Sequence, residues 1–131
     1  MGAWGHDSFE NDSAMDWLGE LVGGDPSMVR EALENVVVAS GHIDVDDGSV
    51  ALAAAELVAG AHGKGYDRLS KRAARWLEAN RIQLAAIDVE LARRAVERVL
   101  ASSELRSLWD EAGDDSGWQP AVRELIRRLT L

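Results

Sequence analysis

The N-terminal segment holds the densest group of side chains that could bind a metal ion. One imidazole and four carboxylates lie close together there: His6, Asp7, Glu10, Asp12 and Asp16. Oxygen ligands with one nitrogen suit a divalent cation, but a zinc site needs two or more His or Cys ligands at helical spacing. The other histidines, His42 and His62, are distant in the sequence. Because capping and the helix dipole also select carboxylates at a helix start, we predict no metal site.

Glu56 is the only charged residue in the apolar stretch 49–62. If its side chain faces the core, burial would raise its pKa and make it a candidate acid, base or metal ligand. Two structural alternatives stay open, namely that Glu56 marks a single solvated edge of a helix or that it pairs with an arginine. The catalytic hypothesis joins Glu56 to three other side chains: His6, Asp12 and Asp16.

Residues 44–48 resemble the start of a calcium-binding loop. In an EF-hand that begins at Asp44, position six would be glycine and position twelve a bidentate glutamate. These positions are Ser49 and Ala55, so the register fails, and we predict instead that Asp46, Asp47 or Ser49 caps the following helix. The chain has no cysteine, no Ser-His-Asp pattern and no phosphate-binding glycine loop. We predict no cofactor.

The charges divide unevenly along the chain. Residues 1–62 carry twelve acidic side chains and Arg30 as their only base, a net charge of −11. Residues 63–131 carry thirteen basic and eleven acidic side chains, a net charge of +2, so that the whole chain has a net charge of −9. Phosphate contacts favour a basic protein face, and nucleic acid is therefore not a predicted partner.

Two explanations of this asymmetry are open. The acidic half can pack against a helix predicted over residues 67–79, which carries four basic side chains: Arg68, Lys71, Arg72 and Arg75. Alternatively, an acidic surface is kept for a basic protein partner. Because Asp67 and Glu78 already offset part of the positive charge, we predict that an acidic surface remains exposed. It is centred on six carboxylates: Glu10, Asp16, Glu20, Asp44, Asp46 and Asp47.

The elements that would position these side chains are all helices. Residues 49–62 are apolar on nearly every side, which is typical of a helix buried at the centre of a bundle. Apolar periodicity and capping residues predict further helices over about residues 12–22, 26–40, 67–79, 88–101, 103–112 and 118–129. Residues 80–87 are either a loop or a helical extension. The sequence thus predicts one all-α domain over residues 1–131, a compact bundle of six or seven helices.

No apolar run reaches about 18 residues, the length that spans a bilayer. The N-terminus also lacks the basic and then apolar segments of a signal peptide. We therefore predict no membrane partner and a cytoplasmic protein, a location that the absence of cysteine permits.

Three segments carry a resemblance to a known family. The chain opens with GAWG, three further residues and FENDSAMDW; its centre reads ALAAAELVAG; and SELRSLWDEAG is followed by Trp118. It resembles the domain of unknown function (DUF) 4259 family, small bacterial proteins that begin with a similar Gly-Trp-Gly, Phe-x-Asn-Asp and Asp-Trp signature. The resemblance spans essentially the whole chain and implies a shared fold. It implies no activity, because the family has no established function or catalytic residues.

The residues favour an interaction protein over an enzyme. The favoured hypothesis is a non-catalytic protein-interaction domain, of the immunity or adaptor type, whose acidic half binds a basic partner. The alternative is a metal-dependent enzyme that uses Glu56, His6 and the first-helix aspartates. The two hypotheses differ in whether those side chains converge in one concave pocket or scatter over a convex surface.

Overall fold

A computed structural model of the protein describes residues 9, 11–39, 41, 43–65, 69–101, 103–113 and 117–130. The described part of the chain contains seven helices: α1 (Asp12–Val22), α2 (Ser27–Val37), α3 (Val45–Ala61), α4 (Lys71–Ala85), α5 (Val89–Ala101), α6 (Glu104–Ala112) and α7 (Trp118–Arg128). No β-strand occurs among these residues. The predicted all-α bundle is therefore confirmed, with the larger of the two expected helix numbers.

Helix α3 is the centre of the bundle. It packs against each of the other six helices, and all its residues from 51 to 61 are buried. Alanine favours a helix and lets neighbouring helices approach closely. At Gly60 a Cβ atom would lie only 3.0 Å from Leu77 Cδ2 and 3.1 Å from Leu69 Cδ1, so the contact depends on the missing side chain. Although α3 is strongly apolar, no helix of the described chain is both long and apolar enough to cross a membrane.

The start of α3 differs from the prediction. The helix begins at Val45, and its cap is Asp44, whose Oδ1 accepts the backbone N–H of Asp47 at 2.7 Å. The prediction that Asp46, Asp47 or Ser49 caps the helix is wrong. Asp46 and Asp47 lie in the first turn instead, where a carboxylate is still stabilised by the positive end of the helix dipole.

Three other predicted helix starts are confirmed. In each, a side-chain oxygen accepts a backbone N–H two or three residues ahead, at 2.8 Å for Asn11, 2.9 Å for Asp88 and 3.1 Å for Ser103. These bonds satisfy N–H groups that have no partner inside the first turn of a helix.

Helix α2 ends at Val37, before the predicted end near residue 40. The cause lies partly in the run of valines, which is unfavourable in a helix. It also lies in Arg98 of α5, whose Nη2 donates to the carbonyl oxygens of Gly41 at 2.5 Å and Ala39 at 3.4 Å. A distant side chain thus binds the backbone of the segment that follows α2.

Helix α4 runs from Lys71 to Ala85, so the predicted start near residue 67 is wrong. Ser70 caps it by accepting the N–H of Ala73 at 3.2 Å. At Asn80 the backbone leaves the helical range, with φ −126° and ψ 19°, and the side-chain amide donates to the carbonyl oxygen of Trp76 at 2.9 Å. Beyond this kink Leu84 is fully buried. Of the two alternatives for residues 80–87, a helical extension is therefore present as far as residue 85.

The last three helices complete the core. The apolar stripes predicted for α5 and α7 supply buried side chains: Ala92, Ala95, Val96, Val99, Trp118, Val122, Leu125 and Leu129. Among the α6 side chains whose burial the structure describes, only Leu105 is buried, whereas Leu108 and Trp109, which apolar periodicity also places on the inner side of the helix, are half-buried. Helix α6 is short and packs mainly against α3 and α5, so it covers less of its own apolar side.

Candidate functional site

Glu56 lies in the C-terminal half of α3, is buried, and pairs with Arg128 at the end of α7. Its Oε1 accepts a hydrogen bond from Nη2 of the guanidinium at 2.7 Å, and its Oε2 accepts one from Nη1 at 3.1 Å. The two side chains are only 7% and 14% exposed, respectively. Of the alternatives that the sequence left open, the pairing with an arginine is the one observed.

Arg128 is bound on several sides. Its Nε donates to Glu124 Oε2 at 2.7 Å, and its Nη1 also donates to the carbonyl oxygen of Lys64 at 3.2 Å. Burial by itself would lower the pKa of Arg128, but the hydrogen bonds and charges of Glu56 and Glu124 outweigh burial and raise it. The guanidinium is therefore a permanent cation that joins α3, α7 and the turn after α3.

This geometry gives Glu56 a structural role. A general acid or base must reach a bound substrate directly or through one water, and Glu56 lines neither the cleft beside Asp25 and Pro26 nor the cleft between α5, α6 and α7. His62, at the end of the same helix, forms a hydrogen bond with the carbonyl oxygen of Ile87, its Nε2 lying 3.2 Å away. The described residues therefore do not place an imidazole beside Glu56.

The remaining metal candidates are at the N-terminus. His6 and Glu10 lie outside the described residues, whereas Asp12 and Asp16 are exposed on α1. Within the described chain, no three His, Asp or Glu side chains come close enough together to hold a metal ion. The structure therefore places Asp12 and Asp16 on the exposed side of α1.

The starts of α1 and α3 lie side by side. Ser13 Oγ donates to Asp46 Oδ1 at 2.5 Å, which joins residues 33 positions apart in the chain. Four exposed carboxylates lie at or beside this hydrogen bond in the sequence: Asp12, Asp44, Asp46 and Asp47. The fold thus collects acidic side chains from two separate segments of the sequence on one part of the surface.

The electrostatics of Asp47 reflect this crowding. Its partial burial, and then the charges of Asp44 and Asp46, raise the pKa of its carboxyl group. Each ionised neighbour makes the next negative charge less favourable, because like charges repel. The start of α3 is therefore a place where an added positive charge would be stabilised.

Asp16 and Glu20 extend the acidic residues along the exposed side of α1. The basic side of α4 comes near them, since the guanidinium nitrogens of Arg72 would lie 3.6 and 3.7 Å from a Cβ atom at Gly19. No Lys or Arg among the described residues forms an ion pair with a described carboxylate of the acidic surface. Helix α4 therefore approaches the acidic surface without neutralising it by direct pairing.

Arg128 was not predicted as the partner of Glu56. The available signal was weak, because Glu124 and Arg128 have the spacing of an ordinary surface pair on a helix. Residues of the acidic surface were named from charge alone, and the structure brings five of the six to the starts of α1 and α3 or along α1, Glu10 being outside the described residues.

The chain was compared with known families and proteins. The family model described as domain of unknown function DUF4259 matches residues 2–121, and the chain belongs to this family. No curated protein and no solved structure matches it. The matched residues include Glu56 and the acidic starts of α1 and α3, whereas Arg128 lies beyond them. The family description assigns no activity, so function must be argued from the surface and the site.

Proposed function

We propose that this DUF4259 protein is a non-catalytic protein-interaction domain, of the immunity or adaptor type, which binds a basic protein partner through its acidic surface. The observation that carries the proposal is the hydrogen bond from Ser13 to Asp46, which sets the acidic starts of α1 and α3 together. The setting we propose is the bacterial cytoplasm, which the absence of cysteine suits.

Electrostatics support a basic partner. At the start of α3, partial burial and then the negative charges of Asp44 and Asp46 raise the pKa of Asp47. Lysine and arginine side chains of a partner would stabilise these negative charges and would also attract the partner over a distance of about 10 Å at 0.1 M salt. The gain is expected mainly in the association rate, as is usual for exposed complementary charges.

The alternative function, a metal-dependent enzyme, has weaker support. It needs Glu56 as an acid, base or ligand, but both oxygens of Glu56 accept hydrogen bonds from Arg128. It also needs Asp12 and Asp16 to converge with Glu56, and those residues lie exposed on α1. We therefore favour the interaction domain.

Affinity capture from the source bacterium with matched baits tests the proposal. The baits are the wild-type chain, the variant Asp46→Asn/Asp47→Asn, and the control variant Glu31→Gln/Glu34→Gln. The control removes the same negative charge from exposed positions of α2. The expected result is a basic protein that the wild type and the control capture and the aspartate variant loses.

Association rates of the captured protein with each bait are then measured between 0.05 and 0.5 M salt. The rate for the wild type should fall steeply with salt, and that for the aspartate variant should be lower and less dependent on salt. If the three baits capture the same proteins, and these proteins associate with each bait at the same rate, the acidic surface serves solubility and the proposal is wrong.

A further inference from the structure

A cleft between α5, α6 and α7 is lined by arginine side chains. It encloses about 510 Å³, a size typical of ligand sites. Arg106 of α6 and two arginines of α7, Arg123 and Arg127, contribute its positive charge. The rest of the lining is largely apolar: Leu100, Ala101 and Ile126.

The cleft has an excess of positive charge within an acidic protein. Its one acidic residue, Glu97, already accepts a hydrogen bond from Arg93 Nη1 at 2.9 Å. Arg127 is exposed, and its guanidinium forms no hydrogen bond or ion pair with a described residue. Three guanidinium groups thus face a cleft whose only carboxylate is paired, in a chain with a net charge of −9.

Two of the arginines are held in position. Arg106 donates from Nη1 to the carbonyl oxygen of Leu100 at 2.9 Å, and its Nε lies 3.5 Å from Asp110 Oδ2. The other oxygen of Asp110 accepts a hydrogen bond from the amide of Gln119 at 2.9 Å, and the Gln119 oxygen accepts one from Arg123 at 3.4 Å. This network joins α6 to α7 and lowers the entropy that the arginines would lose on binding a ligand.

We propose that this cleft binds an acidic peptide segment of a partner protein, with an apolar side chain among its carboxylates. A guanidinium group matches the geometry of a carboxylate, and the apolar lining can accept an aliphatic or aromatic side chain. A nucleic acid fits less well, because a long polyanion would meet the acidic remainder of the protein.

The proposal does not rest on the acidic surface, since it uses other helices and the opposite charge. The two surfaces together would allow one chain to hold two partners of opposite charge, as an adaptor does. Recognition of acidic motifs by clustered arginines is a recurring way of binding peptides.

Selection from a random peptide display library tests this inference. The wild-type protein is the target, and the variant Arg123→Gln/Arg127→Gln is used to remove peptides that do not need the cleft. The control variant Lys71→Gln/Arg75→Gln loses the same charge from exposed positions of α4. Melting temperatures of all three proteins establish that they are folded equally well.

Peptides that depend on the cleft should be rich in Asp and Glu with one or two apolar residues. For a recovered peptide, the Kd should rise roughly tenfold in the cleft variant and less than about twofold in the control. Replacing its acidic residues by their amides should weaken binding to a similar extent.

The inference is overturned if no cleft-dependent peptide is recovered, if recovered peptides are not acidic, or if a random single-stranded oligonucleotide binds the cleft more tightly. It is also overturned if the cleft variant abolishes a self-association seen by sedimentation, because the occupant is then a second copy of this chain.

Discussion

Replacement of Arg128 by methionine should destabilise the protein severely. Arg128 makes two hydrogen bonds to Glu56, one to Glu124 and one to the carbonyl oxygen of Lys64, with its side chain only 14% exposed. Removing one partner of a buried ion pair costs about 3–5 kcal/mol, because the remaining group loses its hydrogen bonds to that partner while it stays largely out of water. Because a small part of Arg128 reaches solvent, we expect a loss of about 3 kcal/mol in the free energy of unfolding.

The adjacent Arg127 provides a matched control. It is exposed and its guanidinium has no partner among the described residues, so Arg127→Met should change the free energy of unfolding by less than about 0.5 kcal/mol. Urea unfolding followed by circular dichroism measures both values, with the slope of the transition checked for constancy.

A double substitution separates electrostatics from packing. In Glu56→Leu/Arg128→Met both charges are absent and apolar groups fill their space, so the stability should return to within about 1 kcal/mol of the wild type. If the loss in the free energy of unfolding of the double variant equals the sum of the losses of Glu56→Leu and Arg128→Met, the ion pair does not couple the two residues. A loss below about 1 kcal/mol in Arg128→Met would likewise refute the buried-charge argument.

Two further predictions concern the turn after α3 and the start of that helix. Both glycines after α3 have positive φ, 100° at Gly65 and 77° at Gly63, but only at Gly65 would a Cβ atom overlap the Arg128 side chain. In urea unfolding, Gly65→Ala should therefore lower the free energy of unfolding by at least about 1 kcal/mol more than Gly63→Ala does. Equal losses in the two variants would contradict the contact. Asp47→Asn should stabilise the protein more at pH 7 than at pH 3. Burial and two neighbouring aspartates raise the pKa of Asp47 in the folded state above its usual 3.8, so stability present below the unfolded pKa is lost as the pH rises through the folded pKa. Melting temperatures across this pH range test the sign, and a gain independent of pH would disagree with it.

Local patterns predicted most of the helices correctly. Asn11, Asp88 and Ser103 cap helices as expected, because capping depends on a side chain and the backbone within the next few residues. The burial of α3 was also predictable, since a helix with apolar residues on all sides has no face suited to water.

Helix ends were predicted less well where distant residues decide them. Helix α4 continues past a kink at Asn80 because Leu84 packs in the core, although Ile82 beside it is 85% exposed. The backbone after α2 is bound by Arg98, 57 positions away from Gly41. No window of neighbouring residues contains such contacts, so sequence periodicity could not predict these ends.

The positions of the acidic surface and of the arginine cleft likewise depend on contacts between distant residues. Charge counting identified an acidic surface, but only the fold places Asp46 of α3 against Ser13 of α1. In the arginine cleft, a hydrogen bond between Asp110 and Gln119 joins α6 to α7, and no sequence motif predicts this contact.

The role of Glu56 depends on both the local sequence and the tertiary packing. The sequence by itself determined that one carboxylate would lie on a helix surrounded by apolar residues, and it left open whether that carboxylate would face the core or a single solvated edge. Whether that carboxylate became an acid, a ligand or an anchor depended on the side chain opposite it, since the free energy of a buried charge is set by its neighbours in space. Tertiary packing supplied Arg128 from 72 positions away, and that pairing makes Glu56 a structural residue.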